Sequence, residues 1–417
     1  MQDSTNNAVL SKKTVHTKKT VRVIHTADLH LGFNTYKGEQ FDPFKSLEFL
    51  SEYAIKNKAD IVLIAGDVFD RRDPSSYIQR RFAEFVNKLL EAGIFVFMLT
   101  GNHEGAPNPE RSIHLDVYPA LSVKNVFVAR KIQRFTARDV NIIAVPYPYK
   151  KNLLAREKYK DKSEDEINRA VNAIIVDRVK KLLSEINNDF PTILAMHIPL
   201  LEGKVGSEQC TIFTRELPMG KNDFDDERIS YVALGHLHKS QVLFTDRAHV
   251  PVVYPGSLER IDFSEENDEK GFYFVEFSEN GAVSFNFVKN PHARRFYTIR
   301  IADDSDIGSA DWDRIKTSIV RVVLEKDVKD EQAFKEFLEE VKKKSYVFAR
   351  FEDKRDFSDE SNFYSSHLAI TPQDAINKYL DEQKEHDPFV RKNRERILKT
   401  ALDILRELSE ESEGSER

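Results

Sequence analysis

The sequence predicts an α/β fold, and three observations carry that prediction. Short, nearly continuous apolar runs recur from Val21 to Tyr254, helical stretches separate the first three of them, and a late pair of apolar segments is joined by Asn280-Gly281. Runs of this kind describe strands buried on both faces, which need helices to cover them. The order β-α-β-α-β calls for parallel pairing with right-handed crossovers.

Residues 1–20 carry four lysines and no apolar periodicity, so a disordered basic tail is expected. The apolar runs follow at Val21–Ala27, Ala59–Ala65, Ile94–Thr100, Asn141–Pro146, Thr192–Met196, Ser230–Leu234 and Val250–Tyr254. Helices are predicted over 42–57 and 74–92. A further helix starts at Ser163, where Ser163 and Glu166 fit a capping box and Ile167, Val171, Ile174 and Leu182 repeat at helical spacing. Gly271–Phe277 and Ala282–Val288 read as a hairpin that closes a first domain, 21–290. Residues 291–355 give strand, helix, strand, helix, strand, a small α+β unit. A polar linker, 356–370, leads to amphipathic helices over 371–412. Thr371 and Pro372 supply an N-cap and a first-turn proline, and Ile397, Ala401, Leu405 and Leu408 form one apolar stripe. Such a stripe either folds back on its own domain or awaits a partner.

Composition narrows the function classes. The chain of 417 residues has room for about two to three domains. No stretch approaches the ~20 apolar residues of a membrane span, and the N-terminus is polar, so membrane insertion and secretion are disfavoured. A single cysteine, Cys210, allows neither an internal disulfide nor a thiolate cluster, which fits a reducing cytoplasm and leaves any metal to oxygen and nitrogen ligands. The net charge of −6 excludes a broadly basic coat for nucleic acid. It conceals an asymmetry, because residues 301–417 hold 29 acidic and only 21 basic side chains.

Five apolar strands are followed at once by a candidate metal ligand. Asp28-Leu29-His30 follows the first, Gly66-Asp67-Val68-Phe69-Asp70 the second, Gly101-Asn102-His103-Glu104 the third, His197 the fifth and Gly235-His236-Leu237-His238 the sixth. Alone, Asp-x-His is weak, Gly-Asn-His is a turn tripeptide, and a single histidine is more often a core residue. Gly-His-x-His is stronger, since imidazoles two apart in extended chain project to one side. The recurrence decides, because ligands of open α/β folds bind at the carboxyl ends of strands. His25, His114 and His249 show no such placement and read as ordinary core or surface residues. The set of carboxylates, one amide and imidazoles suits two divalent ions such as Mn²⁺, Fe²⁺ or Zn²⁺, with Asp67 the natural bridge. Paired ions can activate a shared water for attack on phosphorus. His103, beside a ligand but not needed as one, could orient the phosphate or protonate the leaving oxygen.

These motifs resemble the metallophosphoesterase (calcineurin-like) superfamily. Within it, residues 26–32, 65–76, 100–104, 233–241 and above all Tyr254–Phe272 (YPGSLERIDFSEENDEKGF) resemble the SbcD-type DNA repair nucleases and their archaeal and eukaryotic meiotic-recombination counterparts. The superfamily motifs cover the first 240 residues. From 290 onward the likeness rests on domain order. The resemblance implies a β-sandwich flanked by helices, a small α+β capping domain that shapes DNA access, and a helical tail. It implies one Mn²⁺ held by Asp28, His30, Asp67 and His238, another by Asp67, Asn102, His197 and His236, and His103 as the catalytic histidine. Asp70 stands near the phosphate. Glu104, where many relatives have aspartate, is expected to hold a ligand histidine. The activity implied is 3′ to 5′ exonuclease on duplex DNA and endonuclease on single strands or hairpins. The partners implied are an SbcC-type ABC ATPase gripped by residues 371–412, and a second copy through helices near 76–90 and 113–121. The setting implied is a prokaryotic cytoplasm, at the nucleoid.

Two other readings are weighed. A small-molecule phosphodiesterase or phosphoprotein phosphatase would use the same metals, although Arg72 and Pro74 depart from the Gly-Asp-x-x-Asp-Arg-Gly pattern of protein phosphatases. A non-catalytic DNA-tethering scaffold has no need of a full ligand set. Arg71, Arg72, Lys204, Lys239 and Arg260 lie near motifs, where they are either DNA contacts or solvated charges.

Overall fold

A computed structural model describes residues 8–10, 19–33, 44–104, 111–149, 162–186, 189–204, 218–279, 281–355 and 394–400. The linker at 356–370 and most of the helical tail lie outside these residues. Chain order begins β1 (Ala8–Leu10), β2 (Val21–Thr26), α1 (Phe44–Lys56), β3 (Ile61–Ile64), α2 (Ser76–Glu91) and β4 (Phe95–Leu99). It continues α3 (Val117–Ala120), β5 (Val126–Ala129), β6 (Gln133–Ala137), β7 (Val140–Val145), α4 (Glu164–Ser184), β8 (Thr192–His197) and β9 (Tyr231–Gly235). Then come β10 (Gln241–Phe244), β11 (Pro251–Tyr254), β12 (Gly271–Phe277) and β13 (Val283–Lys289). The α+β unit follows as β14 (Phe296–Ile301), α5 (Asp304–Gly308), α6 (Trp312–Lys316), β15 (Ile319–Leu324), α7 (Glu331–Lys344) and β16 (Val347–Asp353).

Two sheets make the body, ordered β1-β13-β12-β2-β3-β4-β5 and β10-β11-β9-β8-β7-β6, and a third is ordered β14-β15-β16. The apolar runs are continuous because alternate residues serve opposite faces. Val62 and Ile64 of β3 and Val96 and Met98 of β4 face a layer formed by Leu47 and Leu50 of α1 and Phe82, Val86 and Leu89 of α2. Their neighbours Ile61, Leu63 and Phe97 turn inward and join Ile142, Ile193, Ala195 and Ala233 of the second sheet. Leu194 and Met196 of β8 point outward to Val171, Ile175, Val179 and Leu183 of α4. The result is the expected α/β sandwich with helices on both outer faces.

The cap and hairpin signals hold as read, whereas the buried face of α4 is Val171, Ile175, Val179 and Leu183, so of the expected stripe only Val171 is fully buried and Ile167, Ile174 and Leu182 are half-buried. Ser163 and Glu166 close the capping box that opens α4, each side chain bonding the other's main chain. β12 and β13 pair antiparallel in the predicted hairpin.

Four departures have physical causes. Ala8–Leu10, placed within a disordered tail by its surroundings, pairs with the edge strand β13; it is the tail's only apolar triplet. β5, β6 and β10 lack an uninterrupted apolar signature because they are partly exposed, all three at sheet edges. α5 is a single short turn capped by Asp303. The helix expected near 113–121 is a 3₁₀ turn, His114–Asp116, leading into α3.

The chain divides into two compact units, residues 1–323 with 328–352 and residues 324–327 with 353–417. The first contains both body sheets and most of the α+β unit. In the second, Arg355 pairs with Asp327 at 2.9 Å and Lys354 N–H donates to the Leu324 carbonyl, and residues 394–400 are helical. Among the described residues, no helix is long and apolar enough to cross a membrane.

Candidate metal centre

Parallel register brings the strand ends into line. Thr26 pairs with Ile64, Ile64 with Met98, and His197 with Gly235, so the residues just beyond β2, β3, β4, β8 and β9 emerge at one edge of the sandwich. Asp28, His30, Asp67, His197, His236 and His238 are all buried there, while His103 keeps about a third of its side chain exposed. Glycine makes the approach feasible. A Cβ on Gly66 would collide with the His197 ring, one on Gly101 with the Asp67 carboxylate, and one on Gly235 with the Ala65 carbonyl. The recurring Gly-ligand dipeptide in the sequence is therefore a packing requirement.

All seven proposed ligands converge. Three overlapping groups place one donor atom from each member within 4.8 Å of the others: Asp28, His30 and His238; His30, Asp67 and His103; and Asp28, Asp67 and His197. His30 Nε2 and His238 Nε2 lie 3.1 Å apart. Asn102 Oδ1 lies 3.1 Å from His197 Nε2 and 3.2 Å from His236 Nδ1. His197 Nε2 is 3.3 Å from Asp67 Oδ2. Four buried imidazoles, two buried carboxylates and an amide oxygen thus gather in one crevice. They suit divalent ions bound by nitrogen and oxygen.

The backbone aims these groups. The His197 Nδ1–H donates to the Ala65 carbonyl at 2.7 Å, which leaves Nε2 facing the crevice. The His103 Nδ1–H donates to the Asp70 carbonyl at 2.7 Å, and the His103 main-chain N–H donates to Asp67 Oδ1 at 3.0 Å. Asp70 thus orients His103 through its main chain, while its carboxylate stands 3.6 Å from His30 Nδ1. Both Asp28 oxygens accept the His236 N–H at 3.0 Å.

Glu104 departs from expectation. Its oxygens accept the main-chain N–H groups of Phe69 (2.8 Å) and Gly101 (2.9 Å), so it clamps two ligand-bearing loops together rather than holding a histidine. With a carboxylate one methylene longer than aspartate's, main-chain donors on both loops come within reach.

Charge is concentrated in this crevice. Burial alone would raise the Asp67 pKa, but the charge and hydrogen bond of His197 hold it well below the usual carboxylate range. Burial acts to lower His197, and the carboxylates of Asp67 and Asp28 overcome it and push it up to about 9. Burial and the nearby Asp67 push Glu104 up to about 8. In the metal-free chain, protons occupy positions that cations would otherwise neutralise.

Several neighbours escaped the sequence reading. Tyr147, just past β7, sets its ring 6.0 Å from that of His236, and the Tyr149 hydroxyl donates to the Asn102 carbonyl at 2.9 Å. The strand-end rule, applied to β7 as well, would have found both. Glu265 accepts from His238 Nδ1 at 2.9 Å, and Lys270 donates to the His238 carbonyl. Of the basic residues near motifs, Arg260 binds the main-chain carbonyls of Glu265, Asp268 and Arg294, so it braces the fold. Arg71 is three-quarters exposed beside Asp70.

A model of the calcineurin-like phosphoesterase family matches residues 21–240. Among solved structures, a dimetal phosphatase from Danio rerio is similar at 10% identity and a TM-score of 0.39, covering 65% of this chain and all of that one. A cold-active protein-tyrosine phosphatase of a psychrophilic Shewanella is similar at 13% identity and a TM-score of 0.27, covering 64% of this chain and 80% of that one.

Proposed function

The chain belongs to the calcineurin-like phosphoesterase family, and from that premise we propose that it is a two-metal DNA nuclease of the SbcD type. The observation that carries a phosphodiester-cleaving reading is the convergence of Asp28, His30, Asp67, Asn102, His197, His236 and His238 at one strand edge, with His103 beside them and partly open to solvent. When bound, two divalent ions, Mn²⁺ in this reading, would supply an activated water and neutralise charge developing on phosphoryl oxygens. The chain's own residues do the rest. Asp67 reaches both halves of the donor set, Asn102 faces His197 and His236, Glu104 fixes the loops that carry them, and His103, its Nδ1–H committed to Asp70, presents Nε2 for a leaving oxygen.

DNA as substrate is supported by the likeness of Tyr254–Phe272 to the nuclease family and by the α+β unit that follows it as a cap. An SbcC-type ATPase, gripped by residues 371–412, and a homodimer through α2 and α3 complete the proposal, set in a prokaryotic cytoplasm. The exposed apolar side chains Tyr77 of α2, Val117 of α3 and Leu121 just after it are consistent with a dimer contact.

The deciding experiment incubates the purified chain with linear duplex DNA and with a nitrophenyl phosphoester, each with Mn²⁺, Mg²⁺ or chelator. Mn²⁺-dependent shortening of the DNA supports the nuclease. Ester hydrolysis with intact DNA would instead establish the phosphatase reading, which uses the same metals.

A further inference from the structure

The most distinctive segment of the sequence, Tyr254–Phe272, supplies none of the proposed ligands. It leaves β11, touches β2 through the Ala27–Ser257 bridge, makes a 3₁₀ turn at Phe263–Glu265 and returns as β12. Inside it lies a fully buried ion pair, with Glu265 Oε2 2.8 Å from Lys270 Nζ. Glu265 Oε2 also accepts the Ile261 N–H at 2.9 Å, and Oε1 accepts the His238 Nδ1–H at 2.9 Å. The Lys270 ammonium spends its remaining donors on the His238 carbonyl and Ser257 Oγ, both at 2.9 Å. Its three donors therefore have three acceptors.

Fold stability alone does not account for such a pair. Two buried charges give up their hydration, and apolar residues of similar volume commonly serve a core at least as well. What an apolar pair cannot do is accept the Nδ1–H of His238. A carboxylate at that nitrogen fixes the tautomer, leaves the lone pair on Nε2 and strengthens the imidazole as a ligand. His238 Nε2 is the atom that faces His30 Nε2 within the Asp28, His30 and His238 group. The carboxylate has a rigid base, because Phe263, two residues before it, packs against Phe296 of β14, ring centroids 4.9 Å apart, and against Ile319 of β15. The other half of the site is built differently, since the second nitrogen of His197 meets a main-chain carbonyl.

We propose that Glu265, held in place by Lys270, is a positioning residue for His238 that sets the affinity of the metal position shared by Asp28, His30 and His238. The position bounded by Asn102, His197 and His236 does not depend on it. The proposal rests on the two-metal reading above.

The test titrates Mn²⁺ into the metal-free full chain by calorimetry and records metal-free melting curves, for wild type, Glu265→Gln and the double variant Glu265→Leu/Lys270→Met. The double variant removes both charges, so it leaves no unpaired ion in the core. Wild type should bind two ions. In both variants one step should weaken about 10- to 100-fold while the other stays within about twofold. The assignment is overturned if both steps keep wild-type affinity or weaken together. It is equally overturned if both variants unfold without metal, since the pair would then serve the fold. A wild-type chain that binds no Mn²⁺ would defeat the two-metal reading itself, and this proposal with it.

Discussion

The interiors of β2, β3, β4 and β9 and the residues just past their carboxyl ends obey different rules. The interiors are extended, apolar and alternate cleanly between two packed faces. Just beyond, Asp28 (φ 51°), His30 (42°), Asp67 (50°) and His236 (100°) enter the left-handed region, where side chains other than glycine are strained. The remaining positive-φ residues without a glycine's freedom, such as Lys58, Ser122 and Asn125, sit in ordinary turns. Each of these strained residues costs on the order of 1–3 kcal/mol, and buried like charges add to that. Stability is generated in the strands and offset at their ends, so the two regions should fail in different ways when altered.

The largest effect belongs to the ends. His103→Gln should lower cleavage about 10²- to 10⁴-fold while metal content and melting temperature stay near wild type. The main-chain N–H that reaches Asp67 survives the substitution, so the loop keeps its anchor. Loss of metal together with activity would make His103 a ligand and erase the distinction between it and its neighbours. The interior should show the reverse. Phe97 is 1% exposed between the two sheets, and Phe97→Ala should cost about 3–5 kcal/mol in denaturant unfolding. Metal stoichiometry and turnover per folded molecule should not change. A folded Phe97→Ala chain that cannot hold metal would show that packing and ligand geometry are not separable here.

Legibility in the sequence follows the same division. Interiors were readable because burial on both faces leaves a continuous apolar run, and the ends because a ligand type stands immediately after each run. The partly exposed strands β5, β6 and β10 fell below that signal. Glu265 and Lys270 were unreadable for another reason: in a polar stretch of the form DFSEENDEKGF, nothing local separates a buried ion pair from solvated charges. Only the fold, which returns that stretch to His238, makes the difference. Glu104 was seen but given the wrong partner, because the Gly-Asn-His-Glu motif does not encode that the Phe69 N–H lies opposite.

The smallest effect is a difference of sign between two histidines. His25 lies in the interior, where its Nδ1 accepts from the Tyr231 hydroxyl and its Nε2–H donates to the Leu234 carbonyl, and burial lowers its pKa to about 3. The folded chain keeps it neutral, so stability is lost as pH falls below the unfolded value of 6.5. Asp67 adds to the acid loss only below its own unfolded value of 3.8. His197, at a strand end, is raised to about 9, so its contribution to the metal-free chain is complete below 6.5 and disappears as pH climbs through 9. Glu104, raised to about 8, falls in the same direction across 4.5 to 8. His197 would have to give up its proton to hold a cation, so the stabilisation gained from added Mn²⁺ should grow between pH 6.5 and 9. Melting temperatures across that range, with and without Mn²⁺, measure this gain. His25→Gln should flatten the acid limb and leave the metal-dependent gain as it was; a change in that gain would mean that the interior histidine tunes the site through Leu234, two residues before His236.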